Sequence, residues 1–169
     1  MTKIHLDVIR SEDCFACGQC CHFDPDFADW MPLLTDDQRR QVEAAFPDEE
    51  IGFERRGGMW RIGGRLRPDR GRLVCPLLEL ATSRCRAYGL GIFDCDTWPF
   101  EVTRRDGRLL LTVTPACPVV GQRGEAVRAQ GAALAPTLRA WVEAHPENVV
   151  PPYDGVIALL DLGLFPDGG

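Results

Sequence analysis

Half of the eight cysteines in this chain lie in one short stretch, at Cys14, Cys17, Cys20 and Cys21. Converging thiolates are ligands that soft transition metals and iron–sulfur clusters prefer, and two-residue gaps let successive sulfurs turn toward one centre. Because adjacent side chains point in different directions, Cys20 and Cys21 are not expected to complete one tetrahedral site together with Cys14 and Cys17. We therefore predict that one of the adjacent pair joins a second group of ligands.

The other cysteines stand singly and complete the candidate ligand set. They are Cys75, Cys85, Cys95 and Cys117. The turn signal Asp106-Gly107 lies between the last two of them, in a predicted hairpin. Pairing of its strands would bring Cys95 and Cys117 to the same end of a two-stranded ribbon, where both could bind one metal.

Two other uses of cysteine compete with metal binding. An even count also fits a disulfide framework, but residues 1–10 contain no apolar signal region, so we expect a cytoplasmic, reducing compartment. A chain of 169 residues, 45% of them apolar, can also bury a core without disulfides. A redox dithiol usually opens a helix after a buried strand, whereas Cys14 follows polar residues. Metal binding is the favoured interpretation.

Short motifs surround the later cysteines. Cys75 begins Cys-Pro-Leu-Leu, Cys85 begins Cys-Arg-Ala-Tyr, Cys95 begins Cys-Asp-Thr-Trp-Pro, and Cys117 precedes a proline. Together with the opening Cys-x-x-Cys-x-x-Cys-Cys, this order resembles the YkgJ-type cysteine-cluster family, which is described as a zinc- or iron-chelating domain. The resemblance spans positions 14 to 117 and implies that the cysteines at these positions are metal ligands.

The chain departs from that family's pattern just before and after Cys95. Gly91-Ile92 stands where the family tends to have Arg-Pro, and Asp96 replaces an expected arginine. If such arginines offset the negative charge of a thiolate-bound centre, this chain must use other groups. Arg84, Arg86 and backbone N–H groups are the candidates.

The spacing leaves iron and zinc open as the bound metal. Structural zinc sites favour two matched Cys-x-x-Cys pairs, whereas Cys-x-x-Cys-x-x-Cys with a distant Cys-Pro is nearer to the way bacterial ferredoxins hold four-iron clusters. Cys21 breaks the ferredoxin spacing because it follows Cys20 directly. We expect an iron–sulfur cluster or iron, with zinc as the alternative.

The function predicted from these residues is metal binding by a module whose cysteines are the whole of its chemistry. The sequence contains no phosphate-binding loop, dinucleotide fingerprint or His-Glu-x-x-His motif. The alternatives are a metal-dependent enzyme similar to the flagellin lysine methylase, which shares a similar cysteine signature, and a zinc-stabilised interaction module. A formal net charge of −6 argues against nucleic-acid binding, and no apolar run reaches the length of a membrane span.

Acidic and basic residues are separated along the chain. Residues 1–54 hold thirteen acids against four bases, whereas seven arginines and one aspartate lie between positions 55 and 72. We expect these segments to attract one another within the fold, since charge runs are usually solvent-facing. A docking surface for an acidic protein partner is the alternative.

The fold class predicted for residues 1–169 is α+β, in a small single domain with β-hairpins around a cysteine-rich metal-binding core at positions 14–117. Thr35 and Gln38 form a capping box before a helix that ends at Phe46. Hairpin turns are predicted at Gly57-Gly58 and Asp106-Gly107. Residues 118–169 are predicted to form a helical scaffold.

That C-terminal scaffold is predicted as three helices. The first covers residues 124–135, the second begins at Pro136, and the third covers residues 153–162 after a Pro-Pro pair.

Overall fold

The computed structural model describes residues 4–17, 19–67 and 71–165 and has the predicted α+β fold. The chain divides into two compact units. The first contains Met1–His5 and Arg10–Asp96, and the second contains Leu6–Ile9 and Thr97–Gly169. The sequence places the end of the metal-binding region at residue 117, whereas this division falls after Asp96.

Short helices and strands alternate along the first unit. Its helices are α1 (Ser11–Cys17), α2 (Asp36–Ala45) and most of α3 (Phe93–Thr97), with 3-10 turns at Gln19–Cys21 and Pro25–Trp30. Its strands are β1 (His22–Phe23), β2 (Leu33–Leu34), β3 (Phe53–Arg56), β4 (Met59–Ile62), β5 (Arg65–Arg67), β6 (Arg72–Val74), β7 (Leu78–Glu79) and β8 (Arg84–Cys85). They pair antiparallel in the orders β1-β6-β5, β2-β4-β3 and β7-β8.

Two local predictions for the first unit are confirmed. The Gln38 N–H donates to Thr35 Oγ1 (3.2 Å) and the Thr35 N–H donates to Gln38 Oε1 (2.9 Å), which is the capping box at the start of α2. Strands β3 and β4 form the predicted hairpin, with Gly57 at a φ of +54° in the turn. A positive φ of this kind favours glycine.

One apolar cluster forms the core of the first unit. Its buried members come from several elements and from the segments between them: Met31, Leu34, Val42, Ile62, Cys75, Leu77, Ala87 and Ile92. Cys21, Cys85 and Phe46 are partly buried and pack against this cluster. The core therefore extends directly to three of the predicted ligand positions.

Arginines that follow the acidic N-terminal segment pair with its carboxylates, as predicted. Arg56 Nη2 lies 2.9 Å from Asp29 Oδ1, and Arg55 Nη1 lies 3.5 Å from Asp36 Oδ1. These side chains are exposed, so each pair contributes at most about 1 kcal/mol. The pairs support attraction between the two segments within the fold over a docking surface.

A single sheet with the order β11-β9-β10-β12 organises the second unit. Its strands are β9 (Phe100–Arg105), β10 (Arg108–Val113), β11 (Val149–Val150) and β12 (Ile157–Leu164), and its helices are α4 (Pro118–Gln122) and α5 (Gly124–Ala144), with a 3-10 turn at Pro146–Asn148. The predicted hairpin at Asp106-Gly107 is confirmed, with φ angles of +50° and +74° in the turn. Helix α5 packs on β9, β10 and β12. None of the helices in the described residues combines the length and apolar character needed to cross a membrane.

Two predictions for the C-terminal scaffold are wrong. Pro136 lies inside α5 instead of starting a helix. The helix continues because Ala135 and Leu138 are buried, and this packing outweighs the hydrogen bond that proline removes. Residues 157–164 form strand β12, which pairs antiparallel with β10, where the sequence predicts a helix. A short apolar run fits either state, and the free edge of β10 offers it a backbone partner.

Gly131 is a point of close approach in the second unit. A Cβ atom on this buried α5 residue would lie 2.9 Å from Leu159 Cδ1 and 3.1 Å from Phe100 Cε1. The exposed Gly121 of α4 has open space at the same position. Both glycines lie in helices, but a side chain would meet close neighbours only at Gly131.

We expect Gly131→Ala to lower the free energy of unfolding by about 1 kcal/mol, because overpacking costs about 1–3 kcal/mol and the gain in helix propensity returns only part of it. Gly121→Ala should instead raise the free energy of unfolding by up to about 1 kcal/mol. Urea titrations of both variants measure these changes. Equal stabilisation by the two substitutions would contradict the close packing at Gly131.

A partly buried carboxyl group lies in the sheet of the second unit. The hydroxyl of Tyr153 donates a hydrogen bond to Glu101 Oε1. Burial raises the pKa of Glu101 to about 7, although the Tyr153 hydrogen bond favours the ionised form. The folded protein therefore holds a proton here more tightly than the unfolded chain does.

This proton makes stability depend on pH in a defined direction. The Glu101 contribution is fully present below its ordinary pKa of 4.5 and is lost as the pH rises to about 7. Between pH 4.5 and about 7, we expect the free energy of unfolding to fall by about 2 kcal/mol less in Glu101→Gln than in the natural protein. The exposed Glu125→Gln should show the same fall as the natural protein. Thermal unfolding at a series of pH values measures the difference, and parallel curves for all three proteins would contradict the buried proton.

Candidate metal centre

Strand pairing brings two distant cysteines together at the edge of the first unit's core. Cys21 immediately precedes β1, and Cys75 immediately follows β6. His22 of β1 is paired with Val74 of β6, and the Cys75 N–H donates to the Cys21 carbonyl at 3.0 Å. The antiparallel ladder therefore places the backbones of these two cysteines side by side.

The β7–β8 hairpin adds Cys85 to this pair. Cys85 of β8 is paired with Leu78 of β7, and the Leu78 N–H donates to the Cys75 carbonyl at 3.1 Å. Each of the two thiols accepts a hydrogen bond from the backbone N–H two residues further along the chain, at Leu77 for Cys75 and at Ala87 for Cys85. These donors favour the thiolate form of both cysteines.

Helix α3 carries Cys95. The neighbouring Asp94 accepts a hydrogen bond from the Leu33 N–H at 2.8 Å, and Ile92 lies in the apolar cluster, so both flanks of Cys95 are tied to the core. Cys95 as a whole residue is exposed. Burial of its thiol nevertheless raises the pKa well above the ordinary value, and the charges of Cys75 and Cys85 add to this rise.

Electrostatic interactions connect five thiols of the first unit into one group. They are Cys20, Cys21, Cys75, Cys85 and Cys95, which we call the thiol group. Each member is affected by the charge of at least one other member or by a hydrogen bond with it. Both adjacent cysteines thus interact with the later ones. That one of the pair joins a second group of ligands stays a prediction.

Burial and proton sharing set the protonation of the thiol group. The Cys21 S–H donates to Cys20, which lowers the pKa of Cys20 and raises that of Cys21. Burial raises the pKa of Cys75 to about 12 and also raises the pKa of Cys85. Most of the group is therefore neutral near pH 7, and a bound cation would have to displace these protons.

The remaining cysteines are Cys14, Cys17 and Cys117. Cys14 and Cys17 are one helical turn apart on α1, where Cys17 is exposed. Cys117 is buried at the start of α4 and belongs to the second unit, whereas Cys95 belongs to the first. Their predicted roles as ligands stay predictions.

All eight cysteines are free thiols, so no disulfide framework is present. Within residues 4–17, 19–67 and 71–165, no three His, Cys, Asp or Glu side chains are already placed as metal ligands around one point. The thiol group is thus a set of neighbours whose sulfur chemistry fits a soft metal or an iron–sulfur cluster.

Arg86 directly follows Cys85 and is a cation that acts on two of these thiols. Its charge lowers the pKa of Cys75 and of Cys85, as expected for a group that offsets thiolate charge. Arg84, the other candidate from the sequence, lies over the Phe15 ring at 5.2 Å. The sequence did not indicate Glu49, which is distant along the chain and pairs with Arg86.

Comparison of this chain with protein-family models gave no match, and comparisons with curated proteins and with solved structures gave none either. The resemblance to the YkgJ-type family therefore still depends on the cysteine motifs alone.

Proposed function

We propose that this protein is a metal-binding cysteine-cluster protein that chelates iron, as an iron–sulfur cluster, or zinc through its thiolates. The observation that supports this function best is the thiol group, in which cysteines from four separate segments interact, and three of them, Cys21, Cys75 and Cys85, lie in or against one apolar cluster. The residues that would hold the metal are Cys20, Cys21, Cys75, Cys85 and Cys95. Bound there, iron in a cluster would supply one-electron chemistry, and zinc would supply structural cross-linking.

The burial of these thiols links metal binding to folding. Cys75 is only 8% exposed and packs in the apolar cluster, where its thiolate is disfavoured. A soft cation compensates thiolates that burial would otherwise keep protonated, so metal binding and folding support each other.

The free thiols are also consistent with a reducing compartment. Free cysteines persist where the environment is reducing, so we propose that the protein works in the cytoplasm. The cysteine motifs that resemble the YkgJ-type family support the same function, since that family is described as zinc- or iron-chelating.

Elemental analysis of protein purified without oxygen tests the proposal directly. We expect iron with acid-labile sulfide and visible absorption, because the sulfur donors suit a cluster. Colourless protein with stoichiometric zinc would identify the zinc form of the same function. Stoichiometric amounts of neither metal, also after reconstitution with each, would contradict the proposal.

We expect Cys75→Ser to remove most of the bound metal and to lower the melting temperature of the loaded protein, because binding is linked to folding. Cys20→Ser should act in the same direction, and Cys17→Ser should cause a smaller loss because Cys17 is not a member of the thiol group. Metal content per chain and thermal unfolding measure both effects.

The control for this experiment is Val42→Ala. Val42 is fully buried in the same apolar cluster but donates no ligand, so the substitution should cost about 1–3 kcal/mol of stability and keep the metal. If Cys75→Ser and Cys20→Ser retained the metal content of the natural protein, the thiol group would not be the binding site.

A further inference from the structure

Arg86 connects the two segments that carry Cys75 and Cys85. Its backbone N–H donates to the Leu77 carbonyl at 2.8 Å, and its guanidinium Nη2 donates to the Pro76 carbonyl at 2.9 Å. Arg86 directly follows Cys85, and Pro76 directly follows Cys75. One residue thus holds both segments through its main chain and its side chain together.

Glu49 and Phe46 fix the side chain of Arg86. The guanidinium donates to both carboxylate oxygens of Glu49, with Nη2 to Oε2 at 2.7 Å. Its Cζ lies 5.0 Å from the centre of the Phe46 ring. The paired side chains are 31% and 28% exposed, so solvent screens them less than a fully exposed pair. The guanidinium is therefore held in one orientation.

We propose that Arg86, held by Glu49, is a positioning residue for the metal centre, because it sets the spacing of the Cys75 and Cys85 segments and keeps a positive charge beside their thiolates. This inference rests on the proposed metal-binding function. A centre with several thiolates is negatively charged, and the partners of its ligands control how tightly the metal is held. Arg86 fills both roles from a single position.

The geometry requires arginine and not merely a positive charge. A planar guanidinium can donate to both oxygens of Glu49 and to the Pro76 carbonyl while it stacks on Phe46. The ammonium group of a lysine is a compact donor that cannot make the paired contact with Glu49 in the same plane. Lysine should therefore keep the charge and lose part of the positioning.

The test uses full-length protein loaded with Co²⁺, whose thiolate charge-transfer absorption reports the ligand set, and measures Co²⁺ loss to an excess of chelator. We expect Arg86→Gln to speed metal loss about tenfold and to shift the absorption, because partners of metal ligands typically affect affinity by about 10–100-fold. Arg86→Lys should recover part of both properties. Glu49→Gln should give an intermediate acceleration.

Arg65→Gln is the matched control. Arg65 Nη2 lies 3.9 Å from Glu49 Oε2, and no described hydrogen bond joins its side chain to Pro76 or Leu77, so this variant should release Co²⁺ within about twofold of the natural rate. If Arg86→Gln fails to fold, Arg86→Lys and Glu49→Gln still give the comparison.

The outcomes separate this inference from the function on which it rests. If the natural protein binds Co²⁺ and the Arg86 and Glu49 variants match it in absorption and in release rate, the positioning role is overturned and metal binding stands. If the natural protein binds neither Co²⁺ nor the metals of the elemental analysis, both are overturned. Faster release from Arg65→Gln than from Glu49→Gln would also overturn the role of Arg86.

Discussion

The antiparallel pairing of β1 with β6 is the contact on which the arrangement of thiols depends. It joins residues on either side of α2 and the β3–β4 hairpin, so a long loop must close before Cys21 and Cys75 become neighbours. The strands are short, and the ladder alone cannot offset that cost. Burial of the apolar cluster, which includes Cys75, Leu77 and Ile62, stabilises the fold enough to offset the remaining cost of loop closure.

Thiols at the edge of a core are stable only in one of two forms. Protonated, they behave as small apolar groups, which suits the buried Cys75. Ionised, they need a cation, and the neighbouring N–H groups of Leu77 and Ala87 already favour that form. The same fold can therefore hold neutral thiols, and under the proposed function a bound metal would stabilise the thiolates in their place.

Local signals in the sequence predicted local structure well. The capping box at Thr35 and the Asp106-Gly107 turn are confirmed because each depends on contacts within a few residues. The helix predicted over residues 153–162 is wrong because a β10 edge, distant along the chain, decides its state. Contacts distant along the chain also separate the clustered cysteines. Cys17 is exposed on α1, whereas Cys21 is beside Cys75. Spacing identified candidate ligands and could not tell which of them meet.

The charges around the thiol group differ from those that the resemblance to the YkgJ-type family leads us to expect. Asp96 stands where an arginine is expected, and its charge raises the pKa of Cys85; Asp94 acts likewise on Cys95. These carboxylates disfavour thiolates at the α3 side of the group, where the expected arginine would favour them. Arg86 supplies positive charge from the β8 side instead. A bound cation would be attracted by these carboxylates as well as by the thiolates. Asp96 would therefore disfavour ionisation of the thiols without a metal and still favour binding of a cation.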